Sequence, residues 1–380
     1  MTSSLKSEPI TATHLNAIGC KMGLPINGTF ELTARCNFNC RMCYVHQQSD
    51  VSELKKRELT AEQWLEIARK ARDMGLMFLL LTGGEPFLRE DFPYLYEQLI
   101  KMGFVVSINS NASLYNDTLS ELFRKYPPSR INVTLYGASE ETYSGLCGNP
   151  SFEKVILNLK RMKADGLQVR LNVSLTPYNY HDMERIDAIS RELNLQTKAS
   201  AYMYPPARVD GSIGENEARF TPDEAGKAIA KWYSLRESRE TFIQRANAIK
   251  QGTASEAEDN CADPESSGVQ CRAGRSSFWI TWDGRMMPCG TMSVESTDVV
   301  ERGFEQAWRD TMQRTSKIRL PIECAACSNR KHCGVCASIC KCESGEFNIK
   351  PAYVCAMADA KVREILRIAG LEGEENEAKV

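Results

Sequence analysis

Short apolar runs alternate with segments of helical periodicity from residue 30 to residue 204. Each run is four to seven residues long, which is the length of a buried strand. The six runs are Phe30–Thr33, Met77–Leu81, Phe104–Ile108, Ile131–Leu135, Val169–Leu175 and Lys198–Tyr204. Strands that alternate with helices form parallel sheets with right-handed crossovers. The pattern therefore predicts an α/β fold, either a doubly wound sheet or a full or partial barrel, with functional residues at the carboxyl ends of the strands.

The segment Thr60–Met74 carries the clearest helical signals. Thr60 with Gln63 three residues later matches a capping box, Trp64 begins an apolar face, and Gly75 follows as a stop. Further helices are predicted over Asp91–Met102, Tyr115–Lys125, Ser151–Ala164 and Asp182–Leu193, with a long one from Thr221 to about Lys250.

The second half of the chain differs from the first in composition. Residues 252–268 are acidic, small and Ser-rich, which is typical of a linker, and the segment Cys271–Cys355 is dense in cysteine. So small a segment cannot rely on apolar burial alone, and bound metal can supply its folding energy. Within it, Asp283-Gly284 predicts the turn of a hairpin between Phe278–Thr281 and Met286-Met287. We predict an N-terminal segment (1–25), a barrel or sheet domain (26–215), a helix and linker (216–268), a Cys-rich domain (269–365) and an acidic tail (366–380).

Composition excludes several classes of protein. The 47 basic and 49 acidic residues give a net charge of -2, which argues against a broad surface for nucleic acid or anionic membranes. The polar start Met1–Ile10 is no secretory signal, and no apolar stretch is long enough to span a bilayer. We therefore expect a cytoplasmic protein with no nucleic-acid or membrane partner. In that reducing compartment, 15 cysteines with only 4 histidines indicate all-thiolate metal sites rather than disulfides.

Three cysteines follow the first predicted strand directly. Cys36, Cys40 and Cys43 can ligate three irons of a cubane cluster, which leaves the fourth iron open to a ligand. The alternative is a three-thiolate zinc site with a distant fourth ligand, for which His46 and Cys20 are the nearest candidates in sequence.

This CxxxCxxC run resembles the hallmark of the radical S-adenosylmethionine (SAM) superfamily. The resemblance implies a partial (β/α)6 TIM-like barrel and a [4Fe–4S] cluster whose open iron is chelated by SAM. It also implies reductive cleavage of SAM to a 5′-deoxyadenosyl radical, which abstracts a hydrogen atom from the substrate. Met42 stands where relatives commonly have an aromatic residue near the adenine, and a methionine can cover a ring face as well.

Further motifs at the ends of later strands support the resemblance. Gly83-Gly84-Glu85-Pro86 looks like the GGEP element of the superfamily; its glycines permit close backbone approach, and Glu85 offers an acceptor for the SAM ammonium. Ser110-Asn111-Ala112 stands where relatives often carry Thr-Asn-Gly, and Thr134 stands where a hydroxyl contacts the SAM carboxylate in relatives. We therefore expect Ser110, Asn111 and Thr134 to bind SAM. Alternatively, the side chains of these three residues hydrogen-bond nearby backbone groups in loops or at helix ends. Parallel strands would bring all of these motifs to one rim.

The C-terminal cysteines resemble the SPASM extension of radical SAM maturases, which binds two auxiliary [4Fe–4S] clusters. The resemblance implies Cys271, Cys289 and Cys336 for auxiliary cluster I, with Cys261 as a candidate fourth ligand, and four further cysteines for auxiliary cluster II. The latter are Cys324, Cys327, Cys333 and Cys355. Cys340 is the alternative to Cys336. Taken alone, the two CxxC pairs also fit a zinc ribbon.

Cys147 belongs to no motif. An inert thiol is one reading. The other places Cys147 in a loop near the rim, where it gives a hydrogen atom to a substrate radical.

The resemblance implies a modifying enzyme for ribosomally synthesised peptides (a RiPP maturase) that crosslinks or oxidises its substrate. Gly290-Thr291 follows Cys289 where sulfatase maturases have Asp, which counts against formylglycine formation. Because 35 residues precede Cys36, we expect a separate leader-binding protein or the barrel itself to hold any leader. A flavodoxin- or ferredoxin-type protein is the expected reductant. The alternative is a SPASM oxidoreductase or decarboxylase of a small metabolite; an iron–sulfur electron carrier and a zinc-structured binding protein are disfavoured.

Overall fold

The computed structural model describes residues 10–45, 51–205, 208, 218–253, 268–292, 294–325 and 327–371. Cys261 and His46 lie outside these ranges. The strands are β1 (Asn27–Glu31), β2 (Phe78–Thr82), β3 (Val105–Ser110), β4 (Arg130–Thr134), β5 (Val169–Ser174), β6 (Gln196–Ser200), β7 (Ser277–Ile280), β8 (Arg285–Met287) and β9 (Thr297–Asp298). The helices are α1 (Ile10–Met22), α2 (Val51–Arg57), α3 (Ala61–Asp73), α4 (Phe92–Lys101), α5 (Asp117–Lys125), α6 (Glu140–Cys147), α7 (Phe152–Ala164), α8 (Met183–Glu192), α9 (Pro222–Arg236), α10 (Arg239–Lys250), α11 (Val299–Arg302), α12 (Phe304–Ser316), α13 (Ala337–Ser344) and α14 (Ala352–Ala369).

The first six strands lie side by side in chain order, and each is parallel to the next. At least one helix stands between consecutive strands, so every connection is a crossover. This arrangement confirms the predicted partial (β/α)6 barrel. No helix among the described ranges is both long and apolar enough to cross a membrane.

Alternation along the strands separates a core face from an interior face. In β5, Val169, Leu171 and Val173 are buried, whereas the residues between them are only partly covered. Ser174, on the second of these faces, lines the central cavity. Because side chains in a strand alternate, the interior of the barrel is polar and its outer face packs against the helices.

The capping box predicted for α3 is present. The Thr60 hydroxyl accepts the backbone N–H of Gln63, and the Gln63 side chain accepts the backbone N–H of Thr60. The next helical residue, Trp64, is fully buried, and its ring centroid lies 4.7 Å from that of Phe30 on β1. Capping thus sets the start of the helix, and the aromatic contact attaches it to the sheet.

Several predicted elements have other bounds in the structure; the last barrel strand, predicted over Lys198–Tyr204, is Gln196–Ser200. The first strand begins and ends earlier than the apolar run Phe30–Thr33, because the partly covered Asn27 and Thr29 face the interior and still pair with β2. The long helix from Thr221 to Lys250 is broken after Arg236, because the Ser238 hydroxyl accepts the N–H of Thr241 and caps a new helix, α10. Before residue 215, the sequence analysis also omitted α1, α2 and α6.

The C-terminal part of the chain extends the barrel sheet. Strand β7 pairs in parallel with β1, and a Cβ on Gly28 would lie 2.5 Å from the Phe278 ring, so the close approach requires glycine. The predicted hairpin is confirmed: β7 and β8 are antiparallel around Gly284, which has a φ of 85°. The division into domains stays a prediction, although the sheet continues across the proposed boundary at residue 269.

Candidate active site

A cavity of ≈ 390 Å³ opens at the carboxyl ends of the barrel strands. The three cysteines of the CxxxCxxC run line one side of it, and residues from the ends of β2 to β6 line the other. Its predicted members are Cys36, Cys40, Met42, Cys43, Gly83, Gly84, Ser110, Asn111 and Thr134. Two predicted residues, Glu85 and Pro86, are absent from the lining and lie behind it. The motifs therefore converge at one rim.

The CxxxCxxC loop rests on the C-terminal turn of α6. Backbone N–H groups of Asn39 and Arg41 donate to the carbonyl oxygens of Cys147 and Leu146 at 2.8 and 2.9 Å. These carbonyls belong to the last turn of the helix and have no partner within it, so the loop satisfies them. The helix end consequently fixes the path of the chain between Cys36 and Cys43.

Charged side chains that the sequence analysis missed hold the start of this loop. Arg35 donates to both oxygens of Glu58 at 2.8 and 2.9 Å, and Thr33 also donates to that carboxylate. Arg89 is buried and donates to the carbonyls of Leu32 and Leu59. A bidentate guanidinium–carboxylate pair fixes direction as well as distance, which positions the chain just before Cys36.

The two glycines of the GGEP element let their loop lie against the backbone just before Cys36. A Cβ on Gly84 would lie 2.3 Å from the Arg35 carbonyl oxygen, and one on Gly83 would lie 2.6 Å from that of Thr33. The Gly84 N–H donates to the Thr33 carbonyl at 2.8 Å. The sequence analysis assigned these glycines to close approach of a ligand. In the structure these glycines also allow the GGEP loop to lie directly on the backbone of Thr33 to Arg35.

Glu85 ties the GGEP element to the loop after β3. Its Oε1 accepts from the Ser110 hydroxyl at 2.9 Å and the Phe87 N–H at 3.2 Å, and its Oε2 accepts the Asn111 N–H at 2.7 Å. Complete burial raises the pKa of Glu85 to about 7, although these three donors oppose the shift. Its role toward the SAM ammonium stays a prediction, since both oxygens already accept bonds from the protein.

Asn111 connects this loop to the cysteines. Its side-chain amide donates to Asn37 Oδ1 at 2.9 Å and approaches Cys36 Sγ at 3.9 Å. The next residue, Ala112, has a φ of 61°, a left-handed conformation that favours the glycine of the Thr-Asn-Gly seen in relatives. Ser110 and Asn111 thus have the loop role that was the alternative to SAM binding, while both still line the cavity.

The cysteine sulfurs suit a positively charged group. Cys36 opens to the cavity but has protein on most sides; this burial, with smaller contributions from Glu85 and the other two cysteines, raises its pKa to about 12. The Phe38 N–H donates to Cys36 Sγ at 3.4 Å, which favours the thiolate. Three thiolates at one site repel one another unless a cation lies between them, so these residues fit an iron–sulfur cluster.

Cys147 does not occupy a loop, as the sequence analysis expected. It is the last residue of α6, is fully buried, and does not line the cavity. Its thiol contacts Cys40 from behind, and this hydrogen bond is the largest cause of the raised pKa of Cys40, followed by burial. The proposed transfer of a hydrogen atom from Cys147 to a substrate radical stays a prediction, although no surface of this thiol faces the cavity.

A second cavity gathers the four cysteines expected to bind auxiliary cluster II. Cys324, Cys327, Cys333 and Cys355 line it together. Arg330 and Lys350 also line it, and both lower the pKa of Cys324, which burial raises. Positive side chains beside four thiols partly compensate the negative charge of a ligated cluster.

None of the described cysteines expected for auxiliary cluster I lines either of these two cavities. Cys336 is the N-cap residue of α13. Burial raises its pKa, and the nearby Cys289 raises it as well. Cys271 and Cys289 pack against the same apolar cluster. Cys340 is one turn further along α13, fully buried, and faces both Cys324 and Cys336. The choice of Cys336 over Cys340 stays a prediction, and so does the role of Cys261.

The fold and the cavity define a class of enzyme. Residues 30–189 match the model of the Radical SAM superfamily, so this part of the chain carries a radical SAM domain, as radical SAM enzymes do. That class uses SAM and a [4Fe–4S] cluster.

Particular relatives differ in what they act on. An AdoMet-dependent heme synthase of Methanosarcina barkeri is 22% identical over 85% of this chain and 94% of its own length. The structure of anSMEcpe with bound AdoMet aligns with a TM-score of 0.68 and 14% identity, over 91% of this chain and 99% of that one. Streptococcus suis SuiB bound to its precursor peptide SuiA aligns with a TM-score of 0.64 and 17% identity, over 93% and 82%. At these identities the structural likeness shows a shared fold.

Proposed function

We propose that the protein cleaves SAM reductively at the rim cavity and abstracts hydrogen from a substrate bound beside it. The observation that carries this proposal is the shared lining of one cavity by Cys36, Cys40 and Cys43 and by the ends of β2 to β4. When bound, the cluster supplies the electron for cleavage of SAM.

The chain's own residues would hold the two cofactors. Cys36, Cys40 and Cys43 would ligate the cluster. Backbone groups of Gly83-Gly84 and the side chains of Ser110, Asn111 and Thr134 would face SAM, since all of them line the cavity. Met42 is buried at the same lining and would cover the adenine. Pro86 starts a short 3-10 helix and fixes the turn that follows the glycines.

The test uses protein reconstituted anaerobically with iron and sulfide and supplied with SAM and a low-potential reductant. We expect 5′-deoxyadenosine from the natural chain and none from Cys36→Ala/Cys40→Ala/Cys43→Ala. Cys342→Ala is the matched control, because this thiol lies in neither proposed ligand set and donates to the Thr291 carbonyl. Cleavage of SAM by the triple variant would refute the proposal.

We propose a ribosomally synthesised peptide as the substrate, which the protein would crosslink or oxidise. A flavodoxin- or ferredoxin-type protein would supply the electron that cleaves SAM. Support comes from the fold shared with SuiB, whose structure holds its precursor peptide. The second candidate is a small metabolite, which the likeness to a heme synthase over 94% of that enzyme's length supports.

Labelled cell extract can separate the two classes of substrate. Cells are grown in deuterium oxide and extracted. The reconstituted protein is then given either the peptide fraction or the small-molecule fraction of that extract. Deuterium in 5′-deoxyadenosine identifies the fraction that supplies the abstracted hydrogen. Transfer from the small-molecule fraction alone would contradict the peptide proposal.

A further inference from the structure

Strand β6 is an edge of the nine-stranded sheet, and its carboxyl end lies at the rim cavity. Exposure alternates along it, and the exposed residues are Gln196, Lys198 and Ser200. Lys198 is in register with Asn172, so these three side chains share the interior face of the barrel with alternate residues of β5. Ser200 and its partner Ser174 both line the cavity. The exposed face of β6 therefore leads directly into the cavity.

The backbone of β6 presents hydrogen-bonding groups along its outer edge, the side that is not paired with β5. The Ser200 carbonyl accepts the Leu175 N–H at 2.8 Å, so the polar backbone groups of Ser200 and of alternate residues before it point to β5. Those of Thr197 and Ala199 point outward. They have no hydrogen-bond partner within the part of the chain that the structure describes. An edge of this kind is a template for a further strand.

The side chain of Lys198 limits which strand can pair with this edge. It is exposed and forms no ion pair with any residue that the structure describes. Lys198 is the middle residue of β6, so a second copy of the chain paired antiparallel to this edge would place two lysines opposite each other. Like charges in directly opposite positions are destabilising, whereas opposite charges are favourable. The edge therefore fits an extended peptide with an acidic side chain better than another copy of this chain.

We propose that the peptide substrate pairs with the outer edge of β6 as an added strand, with an acidic side chain opposite Lys198 and the reacting residue opposite Ser200, beside the rim cavity. This inference rests on the proposed function, because it gives the binding mode of the proposed peptide. Bonds to the backbone of Thr197 and Ala199 supply affinity that does not depend on sequence. Residues that share a face are two apart in a strand, about 7 Å, so the reacting residue lies two positions from the acidic one.

The experiment is the deuterium-transfer assay with the labelled peptide fraction, measured as the deuterated share of the 5′-deoxyadenosine formed. Ala199→Pro removes an outward N–H and keeps the pairing with β5, because an edge strand tolerates proline where the N–H faces solvent. We expect the deuterated share to fall about tenfold or more, since the added strand loses a donor and meets the proline ring.

The charge of Lys198 is tested in the same assay. Lys198→Glu should lower the deuterated share up to about fivefold, because it repels the peptide carboxylate, and Lys198→Arg should preserve the share. Lys154→Glu is the matched control, since this exposed lysine lies on α7, away from the edge strand. We expect no change in that variant.

The outcomes separate this inference from the proposed function. If the natural chain and Ala199→Pro take equal deuterium from the peptide fraction, the edge of β6 does not bind the peptide, and the peptide remains the substrate. If the natural chain takes none, the proposed substrate fails and the inference fails with it. Equal falls in Lys198→Glu and Lys154→Glu would overturn the role of Lys198. If Ala199→Pro forms no 5′-deoxyadenosine at all, Lys198→Glu decides, and an unchanged share there overturns the inference.

Discussion

The Glu85 carboxylate accepts the Asn111 backbone N–H at 2.7 Å, and this bond joins the loops that follow two neighbouring strands. Glu85 is fully buried, and its other oxygen accepts from Ser110 and Phe87. Three donors on one buried carboxylate hold the two loops at a fixed separation. The cysteine loop is in turn attached to this pair through Asn111 and Asn37.

The ionisation of Glu85 predicts a pH dependence of stability. Its pKa rises from an ordinary 4.5 to about 7 in the folded chain because of burial. A carboxyl group with a raised folded pKa contributes stability below pH 4.5 that is lost as the pH rises to about 7. The loss is about 3 kcal/mol for a shift of this size.

Urea denaturation of the metal-free protein at pH 5 and pH 8 can measure this contribution. We expect Glu85→Gln to have a smaller fall in the free energy of unfolding between the two pH values than the natural chain. The remaining fall reports all other titrating groups, which the two proteins share. Equal falls would show that Glu85 titrates normally.

Gly84 should not tolerate a side chain. Gly84→Ala would place a Cβ 2.3 Å from the Arg35 carbonyl oxygen, which is backbone and can move only with the cysteine loop. We expect destabilisation of about 2–3 kcal/mol, as for other overpacked sites, together with reduced iron content and SAM cleavage. Chemical denaturation and iron analysis check both effects. Gly145→Ala on α6 is the control, because its Cβ would meet no atom within 4 Å, and a comparable loss there would remove the steric explanation.

Glu58 should stabilise the cysteine loop from outside the motif. Its side chain is 5% exposed and holds Arg35 by two bonds, so Glu58→Gln leaves a buried guanidinium with an uncharged partner. We expect a loss of about 3 kcal/mol in the free energy of unfolding and faster loss of the cluster to a chelator. Glu53→Gln removes the exposed pair with Lys56 and should change stability by less than about 0.5 kcal/mol. Similar losses in both variants would contradict a special role for Glu58.

The C-terminal cavity predicts a defined loss of metal. Cys355→Ala removes one of four thiols that line it, and we expect the reconstituted protein to lose about four irons and four sulfides per chain. Cys342→Ala should keep the full content. Loss of about one zinc, with iron unchanged, would favour the zinc ribbon that the two CxxC pairs also fit.

Strands could be predicted where apolar residues run together, as in Val169–Ser174. The ends of β1 could not, since Asn27 and Thr29 are polar members of that strand and interrupt its apolar run. The helix α6 escaped prediction because Gly145 interrupts it and its apolar face is short. That omission also placed Cys147 in a loop.

The cysteines and the GGEP element could be found because their signals are local spacings. The ion pair of Arg35 with Glu58 and the bonds of Arg89 join residues that are far apart in sequence and carry no periodicity. Such residues are defined by contacts that exist only once the barrel has formed.

The pairing of β1 with β7 has a consequence for synthesis of the chain. Strand β1 forms its bonds to β2 once residue 82 has emerged, but its other edge stays open until residues 277–280 have been made. During that interval the cysteine loop is attached to a strand with an unpaired edge, which is prone to pair wrongly. A nascent chain would therefore gain from chaperone cover of β1, or from late insertion of the first cluster, after most of the polypeptide has left the ribosome.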